Sequence, residues 1–456
     1  MHKLFSLALP LIVSQLISMA LVLTDIWMMS RISVQALAAG GLGASVYSFV
    51  FLIAASTVGC SANLIAIAYG QSLSRPEFGI QQIRNAIKGA VMLAVICTFL
   101  LTTSLIFAPE LLRSANQSDE VIFIGMDYLN ALKWAMLPTL LLLVLRGLTS
   151  TFGDARSVMV MSVITVLLNV PISYLLGFQL GFGIAGLGAG TSISAIISLL
   201  GYGYWVFGRD KYYRFAPWLR LEEYSIKLIT PLLAMGVPIA LASILEHGLI
   251  YGGTLMAGMI SVASLAMHQI LLQCLSFTWN INFGFSQAAA ILVGKDFGAG
   301  NQAGIKRTSH QSFILVTLLS IILAAVFILW PESIAQLFQL EEGNPSSNHE
   351  LTLLLTSSIW VVALCFVVDS WQLLALNLLR GMKIVLSPTI MTAIGYWAFG
   401  LPVAWWLMPK YGLAGIWGGI GVGLGVTGIL LLIQLLSVLN TRTTHNAIKG
   451  KLKRAA

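Results

Sequence analysis

Charge is what this 456-residue chain has least of: 25 Lys and Arg with 17 Asp and Glu make up 9% of it, against about 25% in soluble domains. A water-facing globular surface is thereby excluded. Cysteine is scarce too. Cys60, Cys97, Cys274 and Cys365 all fall within hydrophobic runs and lack metal-pair spacing, which argues against disulfides and zinc. Connectors between the runs are short, leaving no soluble domain to hold a separate active site. No nucleotide loop, Ser–His arrangement or paired His–acid motif occurs, so an enzyme is not expected.

What is present is apolar: 58% of residues are hydrophobic and the mean hydropathy is +0.89. Runs able to cross about 30 Å of hydrocarbon lie near 5–30, 42–69, 86–108, 121–145, 157–177, 182–208, 226–251, 263–293, 309–330, 351–379, 384–407 and 412–438. Each is expected to be a helix, since open strands and lipid-exposed loops leave backbone groups unpaired. The first run contains Pro10, Ser14 and Gln15, has no cleavage pattern and is too long for a signal peptide, so it is read as retained.

With the amino terminus in the cytoplasm, 21 of the 25 Lys and Arg fall on the cytoplasmic side, Arg31, Arg113 and Lys410 face out, and Lys133 lies inside a helix. This is the positive-inside pattern with both termini cytoplasmic. The net charge of +8 is thus explained by topology and needs no nucleic-acid partner. The basic tail, with Lys449, Lys451, Lys453 and Arg454, is read as solvated, and Glu341, Glu342 and Glu350 as acids of an outer loop.

The chain repeats itself. "LALPLIVSQL" at 7–16 answers "AMGVPIALASIL" at 234–245, "VLRG" at 144–147 answers "LLRG" at 378–381, "NVPISYLL" at 169–176 answers "GLPVAWWL" at 400–407, and "GIAGLGAG" at 183–190 answers "GLAGIWGG" at 412–419, with offsets of 228 to 234. The expected architecture is all-α and polytopic. Twelve transmembrane helices form two pseudo-symmetric six-helix lobes, a parallel repeat around a central cleft. The lobes are read as 1–208 and 226–438, joined by a cytoplasmic linker at 209–225 and followed by a tail at 439–456.

Four acids sit at membrane depth: Asp25, Asp127, Glu246 and Asp369. An ionised carboxylate there costs roughly 2.5–3.5 kcal/mol even on the lenient insertion scale. Asp127 is read as interfacial. Asp25 shares a helix face with Ser14 and Ser18, and Thr165, Asn169 and Ser173 form a second polar stripe on the fifth helix. Together these groups suit a proton or a small hard cation, and no basic residue of the first half lies clearly deep enough to pair with Asp25. Loading such a carboxylate changes its charge, which biases one packing of the helices over another. A permanently paired structural acid is the competing reading. In the second half, Glu246 and Asp369 have no obvious cation, and Gln372 follows Asp369 by three residues. His247 is read as a core histidine. Gln269, Gln273, Ser276 and Asn280 line one face of the eighth helix, read equally as interhelical glue or as substrate lining.

Taken together, "LALP" with Asp25 fifteen residues after its proline, "LLNVPISY", "GVPIALASILEHG" with Glu246, "HQI" at 268–270 and "VDSWQLLALNLLRGMK" with Asp369 resemble the multidrug and toxic compound extrusion (MATE) transporters, in particular their NorM-like bacterial branch. The resemblance spans essentially the whole chain. It implies two lobes around a V-shaped cleft in a bacterial inner membrane. It also implies export of cationic, amphipathic drugs by a monomer in exchange for H+ or Na+, with no other cofactor. Asp25 matches the amino-lobe coupling acid, with Asn169 and Thr191 at matching positions beside it. Glu246 and Asp369 match the acids of a carboxy-lobe cation site, and Pro10 matches a proline about which the first helix bends. Two departures bear on the ion: Ser173 stands where relatives often have Asn or Asp, and Cys365 where some have Tyr. Proton coupling through Asp25 is the preferred expectation. A flippase for lipid-linked precursors, of related architecture, is the alternative, and a channel the hardest to exclude.

Overall fold

The computed structural model describes residues 2–114, 117–331 and 345–455, the side chains of 345–350 and 441–455 excepted. Glu341, Glu342, the side chain of Glu350 and the side chains of the basic tail therefore lie outside the described residues. No strand occurs among those described. The helices, labelled by crossing, are α1 His2–Ile32, α2 Val34–Ser74, α3 Pro76–Ser114, α4 Asp119–Thr151, α5 Ala155–Gln179, α6 Gly183–Phe207, α7 Ile226–Ile260, α8 Val262–Gly298, α9 Gln302–Leu329 and α10 Pro345–Gly381. The remaining two, α11 and α12, are the arms of Leu386–Asn440 on either side of Gly412, whose φ of 56° and ψ of −132° break the helix.

Ten stretches among the described residues are long and apolar enough to cross a bilayer. Splitting one at Gly412 and adding α8 gives the expected twelve. The 37-residue α8 misses the apolarity threshold because it carries Gln269, Gln273, Asn280 and Asn282. This is an all-α, multi-pass membrane protein.

Turn chemistry repeats with the sequence. "ISV" at 32–34 and again at 260–262 closes the turn into the next helix in each half. Ser33 accepts from the Ala36 amide at 2.9 Å and Ser261 from the Ser264 amide at 3.0 Å, satisfying donors that a helix start leaves unpaired. Gly183 and Gly412 both hold φ at 56°, a left-handed setting that side chains rarely adopt. Past each glycine the chain doubles back with minimal separation. A Cβ on Gly186 would meet the Leu176 carbonyl carbon at 2.6 Å, and one on Gly415 would meet the Leu407 oxygen at 2.5 Å. The α5/α6 and α11/α12 hairpins are thus built by the same glycine rule, and a π-helical turn interrupts each, at Leu175–Gln179 and Ile394–Gly400.

The chain forms two compact units, Leu9–Ala240 and Met1–Ala8 with Leu241–Ala456. Each boundary falls within a helix, two residues from Pro10 in α1 and three from Pro238 in α7. In the first unit Met28, Met29, Tyr128, Leu132 and Leu187 form one core. Trp417, Phe366, Tyr396, Met267 and Leu271 belong to the core of the second.

The segment 209–225, expected as a simple linker, packs into the first unit. Glu223 meets Lys88 at 2.8 Å and Arg84 at 3.3 Å, and Lys88 also donates to the Arg220 carbonyl at 2.6 Å. Burial opposes ionisation of Glu223, but these cations win and hold its carboxyl below the ordinary range.

Candidate functional site

Asp25 sits near the carboxyl end of α1, half-buried. Its Oδ2 accepts from the Thr191 hydroxyl of α6 at 3.4 Å, and Thr191 Oγ1 accepts from Asn169 Nδ2 of α5 at 3.0 Å. The same Thr191 hydroxyl lies 3.2 Å from the Leu187 carbonyl, so one proton has two acceptors to choose between. Asp25 Oδ1, Asn169 Oδ1 and Ser173 Oγ are buried without a hydrogen bond. These three orphaned oxygens, one on α1 and two on successive turns of α5, are an oxygen-rich set, which fits a proton or a hard cation. Ser173 lies one turn beyond Asn169 and packs on Gly190. Among the described residues Asp25 forms no ion pair.

Sequence spacing did not reveal Tyr128 of α4, which is 3% exposed and within electrostatic reach of Asp25 and of Tyr47. Convergence of three helices carries no local signal. The Ser14 stripe does face α5: Ser14 bonds Ser162 at 2.6 Å. Pro10 is buried inside α1.

In the second unit Glu246 of α7 and Asp369 of α10 lie within electrostatic reach of each other. Glu246 accepts from the Trp279 side chain of α8 and feels Arg380 of α10. Arg380 closes α10 and is 9% exposed; with His247 it lies within electrostatic reach of Glu246. Asp369 is 3% exposed with Oδ2 unbonded. Tyr396 of α11, fully buried, faces both acids and lies beside Gln372. Cys365 donates to the Trp417 carbonyl at 3.6 Å.

Gln372, three residues after Asp369, is 1% exposed and lies beside Tyr396, with the acids. Gln269 and Gln273 are exposed and Asn280 half-buried, its amide donating to the Ser276 carbonyl at 2.8 Å. Packed glue would be buried, so this face of α8 is open. His247 is exposed and bonded to its own helix at Ser243, whereas His268 is the buried histidine, bonded to Thr254 at 3.2 Å. Asp127 is exposed, as expected of an interfacial acid, and Lys133 lies in a 3₁₀ turn bonded to Asn130 rather than within a continuous helix.

The family model described as MatE matches residues 10–175 and 238–406. A relative from Mesorhizobium japonicum named "Probable multidrug resistance protein NorM" is 29% identical over 437 residues, covering 94% of this chain and 92% of that one. A protein of the same name from Pseudomonas putida is 29% identical, covering 94% and 93%. Among solved structures, "Outward-facing conformation of a multidrug resistance MATE family transporter of the MOP superfamily" superposes with a TM-score of 0.87 at 19% identity, over 97% of this chain and 96% of that one. "Crystal structure of MATE in the bent conformation" superposes at 0.86 and 18% identity, over 98% and 96%.

Proposed function

The chain belongs to the MatE family, and on that premise we propose that it is a secondary active multidrug efflux transporter of a bacterial inner membrane. It exports cationic amphipathic compounds in exchange for H+ or Na+, works as a monomer and keeps both termini in the cytoplasm. The relatives named as multidrug resistance proteins support the cargo class, and they disfavour the lipid-precursor flippase.

One observation carries the mechanism: Asp25 at membrane depth, held by a single shared hydroxyl and with one oxygen unbonded. When a proton arrives at Asp25, the carboxylate no longer needs the Thr191 hydrogen. That hydrogen returns to the Leu187 carbonyl 3.2 Å away, and α1 loses its polar tie to α6. Pro10, which withholds one backbone hydrogen bond within α1, supplies the place for α1 to bend. Loss of the proton restores the tie. Na+ would use Asp25, Asn169 Oδ1 and Thr191 Oγ1 in the same place, or Glu246 and Asp369 in the second unit. Gln269, Gln273 and Asn280 meet cargo on the open face of α8, while Gln372 steadies the acids.

The test is ethidium uptake into everted vesicles carrying wild type or Asp25→Asn, with pH and sodium gradients imposed separately. Gradient-driven transport is expected to vanish in the variant under the gradient that drives wild type. Normal export by Asp25→Asn under every gradient would overturn the reading.

A further inference from the structure

Resting on the proton-coupled reading, we propose that the α5/α6 interface is the cytoplasmic release route for the coupling proton, a ladder of hydroxyls from Asp25 to Asp154. Its top rung is Asn169 with Thr191 at 3.0 Å. Below it Thr165 donates to Ser198 at 2.8 Å. Ser194 on α6 and Ser162 on α5 fill the intervals, both buried, and Ser162 is bonded to Ser14 of α1 at 2.6 Å. The lowest rung is Tyr202, whose hydroxyl lies 2.8 Å from both Ser157 of α5 and Thr149 of α4. Ser157 bonds the Asp154 carbonyl at 2.6 Å, and the Asp154 carboxylate, about one-third exposed, accepts from Lys211 at 3.1 Å and from Tyr212.

Steps of three to five residues place successive hydroxyls about 4.5–7.5 Å apart along the helices. One hydrogen-bonded water spans the shorter of these intervals and two the longer, where polar groups line them. Each hydroxyl both accepts and donates. A proton leaving Asp25 therefore passes as a relay, every hydroxyl taking one hydrogen and giving up its own. Asp25 is left ionised and the proton enters cytoplasmic water beside Asp154. Arg146 of α4 faces Tyr202, and Arg209 and Lys211 face Asp154. Fixed cations at the exit make an excess proton transit rather than reside, which limits leak.

Thr165, Ser162 and Ser194 also bond carbonyls of their own helices, at Met161, Val158 and Gly190. The sister hairpin α11/α12 packs by the same glycine rule with a different polar pattern: Thr392 bonds the Pro388 carbonyl, the Thr427 hydroxyl makes no hydrogen bond, and the bond between its arms runs from the Gln434 amide to Ser387.

The experiment uses full-length wild type, Thr165→Val and Tyr202→Phe in phosphatidylethanolamine–phosphatidylglycerol proteoliposomes. Ethidium movement driven by a pH gradient is followed with an entrapped pH dye, alongside ethidium–ethidium exchange without a gradient. Both variants keep their side-chain shape and lose the relaying hydroxyl. Gradient-driven ethidium and proton fluxes are expected to fall about tenfold or more, the scale set by loss of a positioned proton-transfer group, with exchange unchanged. Unimpaired fluxes in both variants overturn the proposal, as does an equal fall of exchange and gradient-driven flux, which marks a structural role. A wild type that ignores the pH gradient removes the proton-coupled reading itself, whereas a driven wild type with unimpaired variants removes the ladder alone.

Discussion

At residue scale the telling atom is the Thr191 hydroxyl, with one hydrogen between Asp25 at 3.4 Å and Leu187 at 3.2 Å. Thr191→Val keeps the volume and removes that choice. Ethidium transport under a fixed gradient is expected to drop severalfold, because the tie between α1 and α6 that loading Asp25 releases is gone. Initial rates in proteoliposomes measure this. Glu223 offers a second case on the stability side. Lys88 is 1% exposed on its side chain and relies on that carboxylate, so Glu223→Gln leaves an ammonium in a poor solvent. The expected loss is roughly 2–3 kcal/mol, less than the 3–5 of a fully buried pair, read as a lower unfolding temperature in detergent. The sign with pH follows from a folded pKa lower than the unfolded one. The contribution of Glu223 is present above the ordinary carboxylate range near 4.3 and is lost as pH falls through its lowered folded value. The stability gap between wild type and Glu223→Gln should therefore close on acidification.

At element scale the two glycine hairpins dominate. A Cβ on Gly190 would sit 2.6 Å from the Ser173 Cα, and one on Gly419 would strike the Ala404 backbone. Neither obstacle is the end of a flexible side chain, so Gly190→Ala and Gly419→Ala should each cost about 1–3 kcal/mol or more by overpacking. Gly41→Ala, which meets nothing within 4 Å, should leave the melting temperature unchanged and serves as control. The sequence announces these hairpins openly, because long apolar runs and repeated glycine strings are local signals; the twelve crossings lie close to where hydropathy puts them. It hides other features. The Cys60 thiol has one hydrogen between the Thr57 carbonyl at 3.2 Å and the Leu232 carbonyl at 3.5 Å, the second of them 172 residues away. Tyr128, Tyr396, Trp279 and Arg380 reach the acids from helices whose patterns reveal no partner. Asn169 and Thr191 were recognisable beside Asp25 by resemblance, yet their mutual bond and the shared hydrogen exist only once α5 and α6 are side by side. Spacing did put Gln372 on the face of Asp369, but it gives the face of a helix and not what covers it, here Tyr396.

At the scale of the whole molecule, the excess of cations on one side predicts where the ends lie. Fusing green fluorescent protein to the carboxyl terminus should give fluorescent cells, and fusing alkaline phosphatase there should give an inactive phosphatase, since the first matures in the cytoplasm and the second outside it. The opposite pair of results would invert the topology. The compact units carry a further consequence. Residues 1–8 cluster with the second unit and 230–240 with the first, so a gene cut within 209–225 yields two fragments, each carrying a strand of the other's scaffold. Expressed singly, each should be degraded; expressed together, they should rescue one another. By the same logic, neither half is self-sufficient: each borrows from its twin the opening turns of a leading helix.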